Sequence, residues 1–199
     1  MRVTRLLVST LIGLAGLCIT SSALAAMSIP YGWYLEANLG STHLTGKSYP
    51  GSASASGIGG NANIGYKFFP YLAAEVGYTQ YANTSINVAN GTKAATDKHY
   101  SYDIAMRGIL PVYTTGLEVF AKLGGQHLNS ALNINNALAA TQLGLVSSNH
   151  NTVNLYMGAG IQYYFIPELA AVVQWQRAKG SSGTGTLDLF SGGLSLLVD

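Results

Sequence analysis

Eight segments of the chain alternate apolar and polar residues with a period of two: roughly 32–44, 57–69, 71–84, 99–112, 117–130, 151–165, 169–180 and 186–198. A period of two is the repeat of a β-strand, so the two faces of each segment meet different surroundings. The charges keep to one face. Leu72, Ala74, Val76 and Tyr78 lie opposite Ala73, Glu75, Gly77 and Thr79, and Tyr100, Tyr102, Ile104 and Met106 lie opposite Ser101, Asp103, Ala105 and Arg107. Val153, Leu155, Met157, Ile161 and Tyr163 likewise oppose Asn154, Tyr156 and Gln162. On this parity Glu36, Lys67, Glu75, Asp103, Arg107, Glu118 and Lys122 all share the polar face, and only Arg177 falls on the apolar one, near a segment end.

Composition decides which face is outside. Charged residues make up 9% of the 199 residues, against roughly a quarter in soluble domains. An apolar fraction of 48% with 24 Gly and 13 Tyr is equally unlike a disordered chain, which is charge-rich and apolar-poor. Residues 1–25 read as a secretory signal: Arg2 and Arg5, an apolar run from Leu6 to Ile19, and Ala23-Leu24-Ala25 before a cut at Ala26. That run is shorter than the roughly 20 residues of a spanning helix. An exported, charge-poor chain without a spanning helix can still cross lipid as a closed β-barrel, because a barrel satisfies every backbone polar group internally. A charge at the lipid midplane costs about 2–4 kcal/mol, so the charged face must point into the lumen. A soluble sandwich or lipocalin-like barrel also alternates, but with its apolar face inward.

The expected architecture is all-β, an eight-stranded antiparallel up-and-down transmembrane barrel over residues 26–199. Short connections at Phe69-Pro70, Tyr113-Thr114-Thr115-Gly116 and Ile166-Pro167-Glu168 alternate with four mostly longer ones, which places the turns on the periplasmic side and the loops outside. Aromatics bunch where lipid should meet water: Trp33, Phe68, Tyr163 and Phe165 toward the turns, and Tyr78, Tyr100, Tyr102 and Trp175 toward the loops. The single cysteine, Cys18, lies in the leader, and Leu17 before it is not the small residue of a lipoprotein site. Without Arg2 and Arg5, Lys plus Arg falls from 10 to 8, equal to Asp plus Glu, so the mature chain is formally neutral and gives no reason to expect nucleic acid. His43, His99, His127 and His150 lack metal-ligand spacing, and neither a metal nor a cofactor is expected. Gly59-Gly60 and Gly124-Gly125 lie within strands and read as close-packing positions.

Gly32-Trp33-Tyr34, Gly65-Tyr66-Lys67-Phe68-Phe69-Pro70-Tyr71 with Glu75-Val76-Gly77-Tyr78, Lys122-Leu123-Gly124-Gly125, and Gly160-Ile161-Gln162-Tyr163 with Pro167-Glu168-Leu169-Ala170 together resemble the transmembrane domain of the OmpA family. The resemblance implies an eight-stranded barrel with a plugged, polar lumen in the outer membrane of a Gram-negative bacterium. It implies contact with outer-membrane lipids and lipopolysaccharide, and insertion by the barrel-assembly machinery. It does not extend to the peptidoglycan-binding domain of longer members. The last strand departs from the family pattern, with Leu196 and Val198 where an aromatic is usual.

In OmpA-like barrels a luminal ion-pair cluster is held to act as plug and gate. Glu75 matches its acidic member on the third strand and Arg107 its basic member on the fourth, while Gln162 and Val172 occupy the remaining positions. Glu75 and Arg107 lie at equal distances from position 91, which predicts that they face each other across the hairpin; Lys122, Asp103, Glu118 and Tyr156 would complete the network. His99-Tyr100-Ser101 is similar to the His-x-Ser of lipid A deacylases, but both side chains fall on the luminal face, with no following Glu to orient the imidazole.

An eight-stranded barrel is just wide enough for side chains to fill. The function expected is therefore non-enzymatic: an envelope-structural, surface-exposed protein acting in adhesion or protection through its loops. A narrow gated channel is the alternative. Loop one (Thr45 to Ser56) and loop two (Ser85 to Lys98) read as small, polar and mobile. Loop three (Leu132 to Asn149) carries an apolar stretch in which Leu138, Leu143, Leu145 and Val146 could fold over the mouth or meet a host or bacterial surface partner.

Overall fold

The computed structural model describes residues 31–112 and 115–198; the signal segment expected at 1–25 and part of the turn at 113–114 lie outside them. Ten strands form, β1 (Gly32–Thr45), β2 (Ser52–Ala53), β3 (Ser56–Phe69), β4 (Leu72–Gln80), β5 (Thr84–Asn87), β6 (Lys93–Val112), β7 (Leu117–Ile134), β8 (Ser148–Ile166), β9 (Leu169–Ala178) and β10 (Thr186–Val198), with one short helix, α1 (Ala137–Gln142). Eight of them pair in the order β6-β4-β3-β1-β10-β9-β8-β7, and β7 pairs back onto β6, which closes the sheet into an antiparallel barrel. Closure leaves the wall without an edge, the condition for standing in lipid.

Two of the short turns begin with proline. Pro70 and Pro167 each follow a strand's last residue, in Phe69-Pro70-Tyr71-Leu72 and Ile166-Pro167-Glu168-Leu169, where a preset φ suits the first corner of a tight turn. The close-packing glycines differ among themselves. A Cβ on Gly124 would lie 2.0 Å from the carbonyl oxygen of Ile104, so the β6–β7 approach needs glycine there, while one on Gly125 would meet nothing within 4 Å.

Polarity is inverted relative to a soluble protein. Ile58 is 84% and Leu39 73% exposed on the outer wall, while Glu36 and Arg107 are each 2% exposed inside. The lumen is filled in layers. Tyr34, Ala73, Ile109, Phe120, Tyr164, Ala170, Val172 and Leu197 form an apolar plug toward the turns, and Leu44, Tyr81, Leu128, Ala178, Leu187 and Leu189 form another toward the loops. Most of the inward charges lie between these layers.

The outer end is more ordered than the sequence suggests. Segment 71–84 breaks after Gln80 and resumes as β5, which pairs with the top of β6, and β2 from loop one pairs with β5. Loops one and two therefore carry strand in place of the mobile chain expected. The β6–β7 hairpin continues to Ala95 opposite Ile134, and α1 caps it, its start satisfied by the Asn136 side chain accepting from the Ala139 amide at 3.1 Å. Among the described residues no helix is long and apolar enough to cross a membrane, a test that does not apply to strands.

Candidate functional site

Four charged side chains from four strands meet in the lumen. Arg107 on β6 binds Glu36 on β1 at 2.7 Å and approaches Glu75 on β4 at 3.7 Å; Lys122 on β7 binds Glu75 at 2.8 Å and approaches Glu36 at 3.4 Å. The result is a square in which each base has one near and one farther acid. Tyr34 donates to Glu75 at 2.8 Å, and the Asn38 and Asn63 amides donate to Glu36 at 3.0 and 3.2 Å. The Arg107 guanidinium lies 3.6 Å from the centre of the Phe120 ring, on the apolar layer below.

Gln162 extends the square. Its carbonyl oxygen accepts from Arg107, and its amide donates to Glu118 and, at 3.1 Å, to the Tyr164 hydroxyl, while Glu118 pairs with Lys67 at 2.7 Å. Six charges and one amide thus form a continuous network, and all of them are buried.

The structure corrects several expectations. The hairpin register sets Glu75 opposite Ala105 and Arg107 opposite Ala73, so Glu75 and Arg107 are diagonal neighbours. The break after Gln80 and the irregularity between Ile86 and Asn87 spoil the symmetry assumed in centring the loop at position 91. Asp103 does not join the ion pairs: neither of its carboxylate oxygens has a hydrogen-bond partner. Tyr156 stands in a separate group nearer the loops, donating at 3.2 Å to Gln176, which donates in turn to Thr79 at 3.0 Å. Val172 belongs to the apolar layer at the turn end. Glu36, absent from the expected cluster, is Arg107's nearest acid; the inward parity of β1 was visible, but its approach to a residue 71 positions away was not.

A second polar cluster closes the outer mouth. Lys47 and Tyr49 of loop one reach down to Asp97 on β6 at 2.6 and 2.7 Å, and Ser130 on β7 donates to the same carboxylate at 2.8 Å. His99 lies 3.6 Å from Asp97. His99 and Ser101 are fully buried in the lumen, away from the wall where a lipid would sit. Among the described residues no three His, Cys, Asp or Glu side chains are grouped to hold a metal.

On the outer wall, Trp33, Tyr66 and Phe68 form a chain of edge contacts at 5.2 and 5.1 Å, and Tyr163 meets Phe165 at 5.3 Å, all toward the turns. Toward the loops Tyr78, Tyr100 and Tyr102 form a triangle with ring separations of 5.2–6.2 Å, and Arg177 lies 5.4 Å from the Trp175 ring. Arg177, the outward charge, is paired through two nitrogens with Asp188, at 2.7 and 2.9 Å. In loop three, Leu143 and Leu145 pack onto Val88, Ala94 and Ala139, whereas Leu138 and Val146 are 81% and 76% exposed. Only the latter two present an apolar surface outward.

A closed eight-stranded barrel with an apolar wall and a charged, filled lumen defines an integral outer-membrane barrel protein. The sequence matches the family described as Outer membrane protein beta-barrel domain over residues 11–196, and the chain belongs to it; the OmpA-like resemblance fits, and the protein resides in the outer membrane of a Gram-negative bacterium. Similar solved structures include Neisserial surface protein A, 15% identical, covering 84% of this chain and 97% of that one with a TM-score of 0.60. OprG from Pseudomonas aeruginosa is 12% identical, covering 85% and 97% with a TM-score of 0.58. Ail, the attachment invasion locus protein of Yersinia pestis, is 11% identical, covering 83% and 98% with a TM-score of 0.53. At these identities the likeness is one of fold. No curated protein matches the chain by sequence.

Proposed function

We propose that this protein is a non-enzymatic, non-conducting membrane anchor for a folded platform on the outside of the cell, with a role in surface contact or envelope protection. The observation that carries this reading is the contrast between the two halves of the molecule. The lumen is filled by two clusters of buried apolar side chains and by an ion-pair network that lies among and between them, whereas above the wall β2, β5, the tops of β6 and β7 and α1 build an ordered structure bearing exposed Leu138 and Val146. A rigid scaffold presenting a variable outer surface is the common way barrels acquire function. The two aromatic bands mark the boundaries of the wall that lipid covers. Two of the structural neighbours, a surface protein and an attachment invasion locus protein, bear names of this kind.

The test is adhesion of bacteria displaying the protein to host-cell monolayers, with surface level measured in parallel. Leu138→Glu combined with Val146→Glu leaves the Leu143 and Leu145 packing intact and is expected to lower adhesion severalfold at equal display. Undiminished adhesion would contradict a contact through loop three.

A gated channel is the second reading, supported by the charge square itself. Arg107 and Lys122 could exchange acids by movements of about 1 Å, since each already lies within 4 Å of both.

A further inference from the structure

The inward charges of the membrane-spanning wall do not balance. Glu36, Glu75, Asp103 and Glu118 oppose Lys67, Arg107 and Lys122, and every member but Asp103 has an oppositely charged partner within 4 Å. Asp103 is 6% exposed, and neither carboxylate oxygen accepts a hydrogen bond from the protein. Leaving a buried carboxylate unpaired is costly.

No neighbouring side chain donates a hydrogen bond to it. Asp103 is flanked by Gly77 on β4 and Gln126 on β7, and Gly77 is followed across the sheet by Asn63 on β3. Asn63 and Gln126 are each 2% exposed, and the Asn63 Oδ1 and Gln126 Oε1 atoms are also without a donor. Neither amide gains by turning over, because Asn63 Nδ2 already donates to Glu36 at 3.2 Å and Gln126 Nε2 to the Lys179 carbonyl at 3.1 Å. Gly77 supplies the room. A Cβ there would lie 2.4 Å from Asn63 Oδ1 and 2.8 Å from each Asp103 oxygen, so three oxygens without donors converge beside the bare backbone of Gly77.

Oxygens gathered around one excess negative charge call for a hard cation, and a single positive charge makes the lumen neutral. We infer that Asp103, Asn63 and Gln126, over the bare backbone of Gly77, form a binding site for one monovalent cation of the sodium or potassium class. The cation sits beside the charge square, in reach of the same field that holds Glu75 and Lys122.

The test follows thermal unfolding of the refolded, full mature barrel in detergent at pH 8, exchanging sodium chloride for N-methyl-D-glucamine chloride at constant ionic strength. The wild-type midpoint is expected to fall by several degrees when sodium is withdrawn. Asp103→Asn, which keeps shape and removes the charge, should abolish the difference, and Gln126→Leu should raise the sodium concentration needed for half the effect. Thallous ion in crystals of the wild type should give an anomalous peak between Asp103 and Asn63. A wild-type midpoint indifferent to the cation but dependent on pH would show that a proton neutralises Asp103 and would overturn the site. So would a sodium dependence that persists in Asp103→Asn, or the absence of the thallium peak.

Discussion

Arg107→Ala is expected to destabilise the folded barrel by about 3–5 kcal/mol, the range for breaking a buried ion pair from one side. The guanidinium is the hub of the lumen, binding Glu36 at 2.7 Å, approaching Glu75 at 3.7 Å, donating to Gln162 and resting on Phe120. Its loss leaves Lys122 alone facing two carboxylates, neither of which can reach water, since Glu36 and Glu75 are each 2% exposed. Arg107→Lys should recover only part of the loss, because an ammonium cannot serve Glu36 and Gln162 together as the planar fork does. Urea unfolding of the refolded barrel in lipid vesicles measures both, and an unchanged Arg107→Ala midpoint would mean that the square contributes nothing to stability.

Acidification is expected to release loop one from the outer mouth while the barrel wall stays intact. Burial alone would raise the pKa of Asp97, but the charge of a protonated His99 and the hydrogen bonds from Lys47 and Tyr49 outweigh that and hold it below the ordinary carboxylate value, so its contribution to closure is present above about pH 4 and lost as pH falls below that value. Burial, then donation to Asp97, pushes the Tyr49 phenol well up, and it remains a donor throughout. Limited proteolysis within residues 46–55 should therefore accelerate from about pH 5 to about pH 3 in the wild type. In Asp97→Asn, cleavage should be faster than wild type at neutral pH and less dependent on pH. A wild-type cleavage rate flat across this range would contradict a titrating latch.

The wall was legible in the sequence because lipid enforces a local rule. Whether Glu75, Arg107 or Lys122 points inward depends only on parity within its own strand, and one misplaced residue would put a charge in lipid. Which inward charges touch depends on something nonlocal, the stagger of strands around a closed ring. Hence Glu36 could be placed on the inner face but not beside Arg107, and Asp103 was set among ion pairs that it does not reach. The hairpin between β4 and β6 shows how small the difference is: a bulge and a three-residue break moved the partner of Arg107 from Glu75 to Ala73. Outside the membrane the rule lapses. The sequence of loop two is polar enough to pass for coil, yet β5 forms because the tall β6–β7 hairpin offers it an edge, and Leu143 and Leu145 turn inward because α1 closes over Val88 and Ala94.

A closed lumen leaves function to the outer surface. Single-channel recording of the refolded mature barrel in planar bilayers tests it most directly, with insertion verified independently and Arg107→Ala measured alongside. A lumen filled by side chains predicts a silent wild type. Discrete wild-type openings whose size or frequency changes in Arg107→Ala would contradict a closed lumen and make the charge square a gate.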